Sequence, residues 1–188
     1  SKVGHENQAE TISHILVQKA KIAFDKGEYA KCMEDLDDAF RFAPSVSAKI
    51  LRLKLYLHKG DVEHSNSLFA ELLREHPMYT SFFLVSLAEI PKSEQGREGY
   101  EQRLGMLKEF FLELNDPELL SSPAVTLAKV RLLKERGRFE EAYGLLRKSM
   151  QENPSLVSEA LKIEYIKLLI DLGKNDEVVA ATKGYLNT

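Results

Sequence analysis

Apolar residues recur at three- and four-residue intervals through most of the chain, and each such run is closed by a glycine or a proline. After Gly27 the stripe is Tyr29, Cys32, Leu36, Ala39 and Phe40, the spacing of a helix buried on one face. Pro44 stops it, because the residue before a proline is pushed out of the helical region. The pattern returns after Gly60 as Val62, Ser65, Phe69 and Leu72, and after Gly137 as Phe139, Ala142, Leu146 and Ser149. Gly27 to Pro44, Gly60 to Pro77 and Gly137 to Pro154 are each 17 residues apart. A partial fourth copy follows Gly173 with Asn175, Val178, Thr182 and Tyr185. Ahead of the four glycines stand further helical runs, 8–26, 47–59, 125–136 and 156–172. The pattern therefore predicts helix pairs, each ended at its first helix by a glycine, behind a flexible polar segment 1–7.

Glycine-to-glycine steps of 33, 77 and 36 residues leave room for one more unit, 78–122. It departs from the pattern of its neighbours. A short helix is expected over 79–90, then a long polar connection over 91–99, then a helix over 100–115 with Leu104, Leu107, Phe110, Phe111 and Leu114 on its apolar side. Asp116-Pro117 and Ser122-Pro123 each set an oxygen side chain ahead of a proline, the arrangement that opens a helix. Six of the 16 aromatic residues lie between Tyr79 and Phe111, which is read either as filling of an irregular interface or as an apolar binding site. Phe82 and Phe83 are the candidates for that secondary site.

The repeated glycine, the apolar residue two places on (Tyr29, Val62, Phe139) and the small residue five places on (Cys32, Ser65, Ala142) resemble the tetratricopeptide repeat, a pair of antiparallel helices. The resemblance implies an all-α, right-handed superhelical solenoid of about five pairs, the third irregular, as a single domain over 8–188. Its repeats would be 8–44, 45–77, 78–122, 123–154 and 155–188. In that family the first helix of each pair lines a concave groove that holds peptide segments of partner proteins. Six residues before each turn glycine stand Lys21, Lys54, Arg131 and Lys167, a cationic row suited to an acidic peptide. Asp25, Glu135 and Asp171 follow three of these cations by four residues, so the alternative is a self-paired, solvated surface. Apolar groove candidates are Val17, Phe24, Ile50, Leu57 and Leu127, each with the alternative of packing against an adjacent repeat. The family's carboxylate clamp for chaperone C-termini needs asparagines where this chain has Gln18, Leu51, Ala128 and Glu164, so chaperone-tail binding is disfavoured. Lys19, Arg52 and Lys129 stand where the family has large aliphatics, which implies either stems laid along apolar surface or a different packing angle.

Composition changes this picture little. The 188 residues are 44% hydrophobic and 29% charged, in the globular range, with a net charge of -3 that supplies no field for nucleic acid or an anionic membrane. The longest apolar runs, about four residues as in Phe82 to Val85, are far short of the roughly 18 residues of a membrane span. A single cysteine and the lack of a targeting signal point to a reducing, cytoplasmic setting. The chain opens without methionine and ends on Tyr185-Leu186-Asn187-Thr188 within an apolar face, which suggests a piece of something longer.

No constellation for catalysis, cofactor or metal is found. The histidines His5, His14, His58, His64 and His76 lack metal-ligand spacing, and Cys32 sits at the small buried position shared with Ser65 and Ala142. Glu34, Asp35, Asp37 and Asp38 interleave with an apolar row and face away from it. What remains is a non-catalytic adaptor or scaffold that binds a protein or peptide. The alternatives are a regulatory or recruitment domain of a larger or membrane-anchored protein, and an RNA-binding repeat, against which the groove shows no recurring aromatic. The apolar stripe Val178, Val179, Ala181, Tyr185 and Leu186 is a further candidate, as a homodimer contact.

Overall fold

The coordinates are a computed structural model in which residues 2–89 and 97–186 are described. Every regular element among them is helical: α1 (Lys2–Asp25), α2 (Tyr29–Phe42), α3 (Val46–Lys59), α4 (Val62–Glu75), α5 (Thr80–Ala88), α6 (Arg97–Glu113), α7 (Pro117–Leu120), α8 (Pro123–Glu135), α9 (Phe139–Glu152), α10 (Glu159–Asp171) and α11 (Asn175–Leu186). Short 3-10 turns at Pro77–Tyr79 and Pro154–Leu156 complete the list. The expected all-α class of successive helix pairs is what the described residues form.

The four turn glycines do the same work in each copy. Gly27, Gly60, Gly137 and Gly173 have φ of 77°, 80°, 70° and 69°, the left-handed region in which a Cβ is penalised. That conformation turns the next N–H back onto the helix just left. Glu28 donates to the Ala23 carbonyl, Asp61 to Tyr56, Arg138 to Leu133 and Lys174 to Leu169, at 2.8–2.9 Å. With so short a turn, the second helix must run back along the first. Cys32, Ser65 and Ala142 are 0%, 1% and 0% exposed where the two helices meet, so the small position of the pattern is a close contact.

Differences from the expected elements are local. α1 begins at Lys2 rather than near Gln8, so residues 2–7 belong to a helix. α10 begins only at Glu159, because Pro154–Leu156 forms a 3-10 turn and the Ser158 hydroxyl caps the helix by accepting from Leu161 N–H at 3.3 Å. α6 begins at Arg97, within the connection expected over 91–99; the rest of that connection, and Ile90, lie outside the described residues. Asp116 caps α7 by accepting from Glu118 N–H at 3.0 Å, whereas the Ser122 hydroxyl is buried with no partner among the described residues. Val62, expected in a buried row, is 37% exposed. The side chain of Tyr185 lies outside the described residues.

The chain divides into two compact units, Ser1–Leu72 with Phe82–Phe110, and Leu73–Ser81 with Phe111–Thr188. In the first unit α1, α2 and α3 enclose one core of Val17, Ala20, Phe24, Cys32, Leu36, Ala48 and Leu55. In the second, α8, α9 and α10 enclose another around Val130, Leu133, Ala142, Leu146, Leu161 and Leu168.

Candidate interaction face on the first helices of the pairs

Counting back from each turn glycine puts the candidate residues at three recurrent positions: ten, six and three before it. In the first unit the apolar members of this register are internal. Val17, Phe24, Ile50 and Leu57 are 5%, 3%, 8% and 1% exposed, so packing within the unit, and not an open groove, is what they serve. Lys21 is exposed and forms no ion pair among the described residues. Lys54 is half-buried and donates from Nζ to the Glu89 carbonyl at 3.3 Å, just past the end of α5. Burial, with Lys21 nearby, holds its pKa below the usual lysine value.

Lys54 is one of three cations that close a helix C-terminus in this way. Arg103 of α6 donates from Nε to the Leu57 carbonyl and from Nη2 to the His58 carbonyl at 2.7 Å, at the end of α3. Lys129 of α8 donates to the Leu112 carbonyl at 3.3 Å and to that of Leu114, at the end of α6, with the Phe111 ring 5.4 Å away. The last carbonyls of a helix lack an internal partner and carry partial negative charge, which these cations neutralise. Lys129 is only 4% exposed, and burial lowers its pKa to about 8. The other two cations at the same position, eight before the glycine, are also engaged. Arg52 pairs with Asp37 and lies 4.0 Å over the Phe40 ring, and Lys19 reaches Asp35 at 3.9 Å. The charged heads of Arg52 and Lys129 are held by neighbouring helices, whereas that of Lys19 stays largely in solvent.

In the second unit the same register is open in part, with Leu127 packed against the Val130 and Leu133 core. Leu127 is half-buried, while Arg131 and Lys167 are exposed. Ile163 and Ile170, ten and three before Gly173, are 48% and 58% exposed. On α10, Ile163, Lys167 and Ile170 fall at i, i+4 and i+7 and so share one face; Leu127, Arg131 and Lys134 do the same on α8. α8 and α10 are tied side by side by Lys134, whose Nζ lies 2.8 Å from Glu164 and 3.3 Å from Asp171. Burial works against the Lys134 charge, but the two carboxylates outweigh it and hold its pKa above the usual value. The pairs expected four residues apart do not form here among the described residues: Asp171 goes to Lys134, and Lys167 meets Glu164 at 4.0 Å. Arg131 forms no ion pair among the described residues. The face thus combines two solvent-held cations with exposed branched aliphatics.

Ile163 and Ile170 were missed although the register that picked Val17, Phe24, Ile50, Leu57 and Leu127 reaches them when carried to the fourth glycine. Of the secondary pair, Phe82 is 56% exposed and Phe83 is fully buried, so the two do not form one surface. Cys32 is buried, and desolvation raises its thiol pKa to about 12. Among the described residues no helix is long and apolar enough to cross a membrane.

No protein-family model matches the chain. No curated protein matches it either. Among solved structures the chain is similar to a thermophilic TPR protein of Thermus thermophilus, at 15% identity over 93% of this chain and 90% of that one, with a TM-score of 0.41.

Proposed function

We propose that the chain is a non-catalytic protein-interaction module, an adaptor or scaffold, that docks an acidic amphipathic segment of a partner protein on the α8 and α10 face. The observation that carries this reading is the exposure of Ile163 and Ile170 on the same helix face as Lys167, with Arg131 exposed on the neighbouring α8. Isoleucines left in water at two positions of one helix face gain by being covered, at about 25 cal/mol per Å² of apolar surface. The adjacent cations favour a partner that brings carboxylates and disfavour one that brings lysines. Backbone recognition alone would be indifferent to both.

The reading is tested by selecting displayed 16-residue peptides against the full chain and titrating the enriched sequences. Sequences alternating acidic and apolar residues are expected, bound at least tenfold more weakly by an Arg131→Glu/Lys167→Glu variant. Enriched peptides that ignore this variant and Ile163→Asp/Ile170→Asp alike would remove the site from this face.

A further inference from the structure

The N-terminal unit carries a second face, independent of the first, whose natural occupant can be read from the chain itself. α1 and α3 are equivalent at an offset of 33 residues, set by Gly27 and Gly60. On α3 the positions Ala48, Leu51 and Leu55 are 0%, 7% and 0% exposed and belong to the core that holds Cys32, Leu36 and Ala39 of α2. They are the surface on which the preceding helix lies. The equivalents on α1 are Ile15, Gln18 and Ile22, and they have no such cover: Ile15 and Ile22 are 53% and 55% exposed.

The charge beside the stripe repeats as well. Arg52 grips Asp37 of the helix lying on α3, and its side chain is 19% exposed. Lys19, its equivalent on α1, reaches only Asp35 among the described residues, at 3.9 Å, and remains 58% exposed. Lys26 extends the same flank and is exposed.

We infer that the outer face of α1, with Ile15, Gln18, Ile22 and Lys19, is a docking site for an amphipathic helix that presents an apolar row like Cys32, Leu36 and Ala39 with a carboxylate at its edge, as α2 presents to α3. A second copy of this chain fits poorly. The helix equivalent to α2 at the other end is α11, where the counterpart of Asp37, 146 residues on, is Lys183. Head-to-tail stacking would set Lys183 against Lys19. A two-fold pairing of α1 with α1 would bring the Lys19 and Lys26 flank against itself.

The test uses the full chain and a fluorescein-labelled synthetic peptide of residues 28–43 carrying Cys32→Ala, which reproduces the template helix. A saturable rise in anisotropy is expected, weakened at least tenfold by Ile15→Glu/Ile22→Glu in the protein and at least threefold by Asp37→Lys in the peptide. Arg131→Glu/Lys167→Glu should leave it unchanged, which separates this site from the α8 and α10 face. Both isoleucines are exposed, so the variant should keep its unfolding midpoint; should it not, Ile15→Ser/Ile22→Ser serves in its place. Absence of saturable binding up to about 1 mM, or binding indifferent to either pair of α1 substitutions, overturns the inference. So does sedimentation of the wild type as an oligomer that these substitutions dissociate, which would make a second copy the occupant.

Discussion

Lys129 shows how a charge can be placed where the pattern asks for an aliphatic. Its stem fills the core position and its ammonium ends on the carbonyls of Leu112 and Leu114, so the cost of burying it is offset by closing α6. The offset is incomplete, since burial holds the pKa near 8, below the value of about 10.4 for a free lysine. A base whose folded pKa is lowered weakens the fold at pH below that pKa, and the penalty fades as pH rises towards the unfolded value. Relative to Lys129→Met, the wild type should therefore gain stability between pH 8 and about 10, read by urea unfolding at stepped pH. A constant difference would mean that the ammonium is as well solvated as in the unfolded chain. At Ala142 the opposite situation holds. The site is fully buried, and Ala142→Glu should cost about 3 kcal/mol or more by burying a charge in an apolar core. Thermal denaturation would reveal it as loss of the cooperative transition or a large fall in its midpoint.

Helix pairs are hinged by a residue that is legible because the turn is local. A glycine ahead of a second apolar stripe specifies a left-handed C-terminus, and all four glycines so read adopt it. At Gly137 an added Cβ would meet no atom within 4 Å, so Gly137→Ala isolates the backbone penalty. It should cost about 1–2 kcal/mol, and Gly137→Asn less, both by chemical denaturation. The start of α10 was less legible, because Pro154 reads equally well as a stop or as part of a 3-10 turn. Least legible were the cations. Whether a cation faces solvent or closes another helix depends on which carbonyls arrive beside it, and those of Glu89, Leu57 and Leu112 come from 35, 46 and 17 residues away. Arg103 stood in no predicted row, yet it holds the end of α3. Arg103→Ala should cost about 1.5–3 kcal/mol, the range for hydrogen bonds to a charged group, and speed amide exchange in the last turn of α3.

Across the molecule the same register is spent differently in the two units. Towards the N-terminus its apolar members complete a core and Lys54 caps a helix, so the residues that looked most like a groove are committed to stability. Towards the C-terminus Ile163, Lys167, Ile170 and Arg131 are left outside, where they contribute little to folding. Charge reversal at Arg131 and Lys167 should accordingly leave the unfolding free energy within about 0.5 kcal/mol, as for surface sites generally. Its effect should appear instead in the salt dependence of binding. Cations held in solvent act on a carboxylate through a medium whose screening length is about 10 Å at 0.1 M salt and shorter above it. Affinity of the wild type for an acidic peptide should fall as salt rises from about 0.05 M to 0.3 M, while the apolar contribution of Ile163 and Ile170 persists. The Arg131→Glu/Lys167→Glu variant should bind more weakly at low salt and lose or reverse that slope. Equal slopes for the two proteins, measured by titration calorimetry, would place the electrostatic part of recognition on other residues.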